Sequence, residues 1–566
     1  MRRCLLQDQT SYPDCSEDLR LSDSNAGGRG VLAGPILRVV VVATACAALY
    51  VGWRAFWFLT DDAFIAFRYV NNAILGYGLV WNPPPFAPVE GYTSFLWVRL
   101  LEAVWRITDW SPDRTANWLS LAFGYATLAL VVRFVTRMAL PEKLARVRNP
   151  LLALVLLGVV TNRTVLAWLS SGLETSLFNF SVTWWVYCGL TPRGRRGRCW
   201  LLSLSLSAVC IALTRPDGLL YWAATLAMIA VECSGRAAPR RFSALASTLA
   251  LLTVPLHAIW RRSTYGYWLP NTYYAKYAAP WPESGLRYLE CFVIEYGIWV
   301  WLLLAVAWGA VALRGGVPGR AALRVTLVLG ALAGQAAYYT LIIGGDHFEY
   351  RVYSHLIPLL FVSALWLAAR LSTRPLVVGA LLASFIVASW PIPWLHYLDT
   401  RHLTLQGVIH KPTQPVAHHF PGWLAPLVRH WDAQQAWLMA HMVGTRHQVH
   451  KTFYEFQRAL FPDRSVGSQI PWAERGVLIL GSVGVPGWVL PEVAIIDRLG
   501  LTDRVIGHSP LSRPMRRMAH DRTPPPGYLA CFRPNVELSR GAAIVKRRTV
   551  PLTDDDIRRC QEREWY

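Results

Sequence analysis

Six short polar runs interrupt a largely apolar chain: Asp61-Asp62, Glu90-Gly-Tyr-Thr93, Ser171-Gly-Leu-Glu174, Thr214-Arg-Pro-Asp217, Leu269-Pro-Asn-Thr272 through Lys276, and Gly345-Asp-His-Phe-Glu-Tyr-Arg351. A carboxylate held at a pocket floor can take the proton of an attacking hydroxyl, which makes Asp61 and Asp62 candidate catalytic bases. Adjacent side chains at a helix start diverge by about 100°, so the two acids serve different ends. Asp61 is the expected base and Asp62 the alternative. The remaining acid caps the helix or orients a ligand. A guanidinium grips a phosphate through two parallel hydrogen bonds, so Arg351, which follows a double glycine, is a candidate phosphate ligand, with Lys276 and Arg215. Arg68, Glu90, Tyr92, Glu174, Asn271 and Asp346 are candidates for substrate contacts. Simpler roles compete with these: a loop turn for Glu90 and Tyr92, a cap for Ser171 to Thr175, an ion pair for Arg215 with Asp217, a surface bridge among Asp346, Glu349 and Arg351, and an interfacial belt for Tyr267, Trp268, Tyr273 and Tyr274. A divalent cation at Asp62 is compatible with the sequence and not required by it.

The elements that must position these side chains are membrane helices. Of 566 residues, 54% are apolar and 16% charged, and the apolar residues fall in blocks separated by short Arg-rich loops. The formal charge of +21 sits mainly in every second loop, the pattern that retention of cationic loops on the cytoplasmic side produces. Nucleic acid is therefore a poor partner and the lipid bilayer a good one. Spans are expected over 37–59, 115–139, 149–168, 174–191, 199–214, 218–234, 242–260, 290–313, 321–343, 353–370 and 375–396, about eleven in all. Stretches 63–76 and 93–108 carry too many polar groups for lipid and are expected as interfacial helices in the first outer loop. The predicted organisation is a cytoplasmic, disordered N-terminus (1–36), a transmembrane domain (37–397) and a small mixed α/β extracytoplasmic domain (398–566). With that topology the polar runs all lie at outer span ends, which suggests one shared aqueous pocket.

Other signals are weak. The ten cysteines show no zinc-type spacing, and whether Cys531 and Cys560 pair is left open. Gly481, Gly484 and Gly487 have the wrong spacing for a dinucleotide turn. His447 and His450 are one helical turn apart, a marginal metal pattern, and Asn162-Arg-Thr164 is a sequon of a kind frequent by chance.

The order of the motifs resembles a known family. Asp61-Asp62-Ala-Phe-Ile with Arg68-Tyr69 and Asn71, Gly76-Tyr-Gly-Leu-Val, Val89-Glu90-Gly-Tyr-Thr, Ser171-Gly-Leu-Glu-Thr and Arg215-Pro-Asp-Gly come first. Leu269-Pro-Asn-Thr with Ala275-Lys276, Gly344-Gly-Asp with Arg351, the run Ile496 to Asp503, Ala519-His-Asp-Arg and Pro524 to Tyr528 follow. Together, over about residues 55–530, they resemble the actinobacterial terminal arabinofuranosyltransferase B group of the class C membrane glycosyltransferases. That resemblance implies a plasma-membrane enzyme with an outward-facing site. It implies inverting transfer of a sugar, arabinofuranose in the named group, from a polyprenyl-phosphate donor to a cell-envelope glycan. Glu90-Gly-Tyr-Thr-Ser and Gly-Asp-His-Phe-Glu-Tyr-Arg depart from the group's pattern, and a related group implicated in flagellar motor control shares several motifs. A non-catalytic protein of that type, or a transporter, is the alternative. A transporter is disfavoured because no paired broken helices occur in two related halves.

Overall fold

The computed structural model describes residues 30–192, 199–233, 247–277, 279–312, 319–404, 414–511, 516–539 and 541–565. The predicted N-terminal segment up to residue 29, the start of the 242–260 span and most of the basic loop arginines, among them Arg195, Arg236, Arg240 and Arg314, lie outside the described residues.

The fold is predominantly helical. Gly30–Ala55 (α1) ends just before Asp61–Ile74 (α2), and Phe95–Thr108 (α3) follows a Pro-rich turn. Both α2 and α3 match the expected short polar helices, each with one strongly apolar face. Pro112–Arg137 (α4), Thr175–Leu190 (α5), Trp200–Thr214 (α6), Leu219–Cys233 (α7) and Gly319–Ala337 (α8) continue the bundle. Among the described residues four helices are long and apolar enough to cross a membrane: Gly34–Ala55, Pro112–Arg137, Leu323–Ile343 and Pro375–Thr400. Arg148–Val160, Trp200–Thr214 and Leu356–Leu371 are apolar and shorter. Large apolar side chains such as Val39, Val51 and Leu376 stand exposed on these helices, as a lipid-facing surface requires.

Two expected spans are broken, and two that were expected as separate divide where predicted, each for a local reason. The 149–168 stretch divides at Asn162, whose side chain caps Arg163–Trp168 by accepting from the Val165 N–H; the sequon residue is a buried cap. The 290–313 span is the end of a pair, Pro282–Glu295 and Ile298–Ala310, bent by 87°. The bend falls at Gly297, where φ is +58° and a Cβ would press on Ala388. Between α6 and α7, Arg215 precedes Pro216 and is driven into extended backbone, φ −150° and ψ 142°, which opens the helix end.

The C-terminal region carries two small sheets. Val477–Leu480 (β1) pairs in parallel with Ala494–Asp497 (β2), Val477 opposite Ala494. Val536–Ser539 (β3) pairs antiparallel with Ala542–Val545 (β4). Cys531 and Cys560 form a disulfide. This region shares its core with the segment that follows α1: α2 and α3 contribute Phe64, Phe67 and Trp97 to a cluster that includes Tyr454, Val485, Trp488 and Ile495. Phe86 likewise sits among Val477, Ile506, Tyr528 and Phe532.

Candidate functional site

A cavity of about 200 Å³ lies where all six polar runs meet Leu501, Met518 and Ala519 of the C-terminal region. Asp62 reaches it from the first turn of α2, Tyr92 from the first loop, and Glu174 from just before α5. Arg215 and Asp217 come from the break between α6 and α7, Lys276 from the end of Asn271–Lys276, and Asp346, His347 and Arg351 from the loop after the last turn of Leu323–Ile343. That last turn, Tyr338–Ile343, is π-helical, a form that accommodates one extra residue and recurs at functional sites. It presents Tyr338 and Tyr339 to the cavity, and Leu501, Met518 and Ala519 close the opposite side.

The charges are interlocked. Arg351 donates through Nε to Asp346 at 2.9 Å and lies over the Phe348 ring. Its Nη1 is 3.9 Å from Glu174, which also receives Arg215 at 3.3 Å. Arg215 further donates to Asp217 at 3.2 Å and to the Tyr339 hydroxyl. Gln335 on α8 donates to the second Asp217 oxygen and accepts from the Tyr221 hydroxyl on α7. Burial works against ionisation of Asp346, but the guanidiniums of Arg351 and Arg215 outweigh it and hold its carboxyl below the ordinary value. Among the described residues Asp62 and Lys276 make no ion pair. The site thus holds one uncommitted carboxylate and one uncommitted ammonium beside two oriented guanidiniums.

The cavity gathers Asp62, Tyr92, Glu174, Arg215, Lys276, Asp346 and Arg351 from the predicted set and leaves out Asp61, Arg68, Glu90 and Asn271. Asp61, the expected base, is turned away: its carboxylate accepts from the N–H groups of Val485 at 2.7 Å and Gly484 at 3.3 Å, at the start of Gly484–Val489 (α9). It is an inter-segment cap, and burial pushes its pKa up to about 7. Arg68 is fully buried and spends its donors on the carbonyls of Trp81, Gly487, Leu490 and Val493 and on the Asn82 side chain. Glu90 pairs with Arg261 at 2.6 Å, with burial raising its pKa to about 7 against that partner. Asn271 donates to the carbonyls of Gly500, Leu501 and Asp503, tying its loop to the segment that brings Leu501 to the cavity. These four build the walls and do not line the space. Glu349 is also elsewhere, buried between Arg163 and Arg446.

Asp217 and His347 lie inside the polar runs but are not among the candidates singled out from the sequence, and Tyr339 reads there only as part of the 321–343 span. The signal for the first two is their place in those runs; for Tyr339 the sequence carries none. A cation at Asp62 gains no support from a preformed ligand set: among the described residues, three metal-ligating side chains meet within 4.8 Å of one another only at exposed Asp399, His418 and His419, outside the cavity. His447 and His450 are buried, with His447 Nε2 3.2 Å from the Phe56 carbonyl.

No protein-family model matches the chain. The terminal beta-(1->2)-arabinofuranosyltransferase of Corynebacterium glutamicum is 29% identical over 324 residues, 52% of this chain and 45% of that protein. The enzyme of the same name from Mycobacterium tuberculosis is 30% identical over 280 residues, 47% of this chain and 43% of that protein. The alignments thus span less than half the length of either relative. Among solved structures, ArnT from Cupriavidus metallidurans bound to undecaprenyl phosphate overlaps with a TM-score of 0.46 at 11% identity, over 81% of this chain and 85% of that one. By sequence, then, about half of this chain is similar to terminal arabinofuranosyltransferases, in agreement with the resemblance its motifs carry.

Proposed function

We propose that this chain is a multi-pass plasma-membrane glycosyltransferase of class C architecture that transfers arabinofuranose from a polyprenyl-phosphate donor to a cell-envelope glycan on the outer face. The observation that carries the reading is a single cavity in which the uncommitted carboxylate of Asp62 stands with Lys276, Arg215 and Arg351, delivered by four separate segments. Similarity to the two arabinofuranosyltransferases supports the choice of sugar. In this reading about eleven helices cross the membrane, the cavity opens to the extracytoplasmic side, and residues 398–566 lie outside.

The reaction asks little covalent chemistry of the protein, because a lipid phosphate is a good leaving group. The acceptor oxygen bonds to the anomeric carbon as the bond from that carbon to the phosphate oxygen breaks, with inversion. Asp62 takes the acceptor's proton. Arg351 and Arg215 are held in place by Asp346, Glu174 and Asp217, so they meet the phosphate charge without reorganising, and Lys276 adds a mobile point charge. Glu174 and Tyr92 face the sugar.

The test is transfer from labelled polyprenyl-phosphoryl arabinofuranose to a synthetic arabinofuranoside by purified protein in detergent. Asp62→Asn is expected to lower turnover about 10²- to 10⁴-fold, whereas Asp61→Asn, which alters only a buried cap, retains far more. Full turnover in Asp62→Asn ends the proposal.

A further inference from the structure

Several carboxylate oxygens facing the cavity are already engaged. Asp346 is held by Arg351, Asp217 by Arg215 and Gln335, and one oxygen of Glu174 by Arg215 and Arg351. Asp62 and the second Glu174 oxygen remain as carboxylate acceptors for a sugar's hydroxyl protons. A nitrogen acceptor stands on His347, which lines the cavity beside Asp346 and is only partly buried. Its Nδ1 is 2.9 Å from the Met442 carbonyl. A carbonyl only accepts, so Nδ1 carries the hydrogen, and in the neutral ring Nε2 presents a lone pair.

The ring is fixed from three sides. Phe348 lies at 5.2 Å between ring centroids, His450 at 5.2 Å and His520 at 5.5 Å. His520 is itself tethered through Nδ1 to the Met518 carbonyl at 2.6 Å. The charged and titratable groups around His347 are Asp346 and Arg351 on its own loop, Asp62 on α2, Lys276, His450 and His520. Burial keeps the imidazole below its ordinary pKa despite the nearby Asp62 charge, so the acceptor form is present at neutral pH.

We propose that His347 Nε2 accepts a hydrogen bond from the acceptor-sugar hydroxyl next to the attacking one, so that Asp62 and His347 together read two adjacent hydroxyls. This deepens the proposed arabinosyl transfer and rests on it. The carboxylate takes the proton of the hydroxyl that reacts, and the imidazole holds its neighbour, which turns the attacking oxygen toward the anomeric carbon. No bond to His347 forms, and it contacts the acceptor without contacting the donor.

Two synthetic acceptors test this: an alkyl arabinofuranoside and its analogue lacking the hydroxyl beside the attacking one. Rates are normalised to protein that retains donor binding. With the wild type, the deoxy acceptor is expected to lose about 5- to 20-fold in kcat/KM, the scale of one neutral hydrogen bond. His347→Ala is expected to lose a similar factor on the full acceptor, through its KM, and almost nothing further on the deoxy acceptor. The donor KM stays unchanged. His347→Gln, which keeps an acceptor oxygen, recovers part of the loss. Equal losses on both acceptors, no loss on either, or a raised donor KM overturns the role of His347 while leaving the transferase reading intact. A wild type that transfers no arabinose to either acceptor overturns the transferase reading and this one with it.

Discussion

Asp61 and Asp62 are consecutive in sequence yet differ in surroundings: one faces the cavity, the other faces two backbone N–H groups of a segment more than 400 residues away. The buried acid has a consequence for stability. Its pKa rises from 3.8 unfolded to about 7 folded, chiefly through desolvation, so between those values the folded protein keeps a proton that the unfolded chain has released. The resulting stability is fully present below pH 4 and is lost as pH rises through about 7. Glu90, similarly raised to about 7, adds to the same slope. The thermal midpoint in detergent is therefore expected to fall across this window, and Asp61→Asn is expected to flatten the curve by one proton's share. Parallel curves for wild type and variant would contradict the assignment.

At the scale of elements, the fit between α2 and α9 decides whether the first loop and the C-terminal region come together. A Cβ on Gly484 would lie 1.8 Å from the Asp61 carbonyl oxygen, whereas one on Gly481 would meet nothing within 4 Å. Gly484→Ala is thus expected to lower stability by about 1–3 kcal/mol, the range of an overpacked contact, while Gly481→Ala is neutral. Thermal midpoints of the two variants side by side separate packing from a general intolerance of alanine in this loop. The three glycines that resemble a loose dinucleotide turn owe their presence to different causes: Gly484 admits Asp61, Gly487 admits Trp81 and Arg68, and Gly481 is unconstrained by packing.

Over the whole molecule, Arg68 does for the two halves what a salt bridge would do at greater desolvation cost. One guanidinium satisfies carbonyls at residue 81 and at residues 487, 490 and 493, with burial lowering its pKa to about 9. Arg68→Met is expected to leave those carbonyls unsatisfied, to cost about 2–4 kcal/mol, and to make residues 461–566 more sensitive to limited proteolysis; an unchanged cleavage pattern would show that the clamp is redundant. Much of this architecture was legible in the chain. Apolar block length and the alternation of basic loops indicate membrane helices, because a bilayer imposes both as local constraints on composition. The polar character of 63–76 and 93–108 marks α2 and α3 as distinct from the spans for the same reason. The polar runs could be read as one set, and seven of the eleven candidate residues do meet in the cavity. The direction in which a side chain points was not legible. Asp61, Arg68, Glu90 and Asn271 have the chemistry of site residues, and only contacts with segments remote in sequence turn them into walls. The sequence by itself determined which residues could do chemistry and that the polar runs holding them form one set at the ends of apolar blocks. The tertiary structure alone decided that Asp62 and not Asp61 opens onto the cavity, because a hydrogen bond to α9 depends on a distance in space that spacing along the chain does not encode.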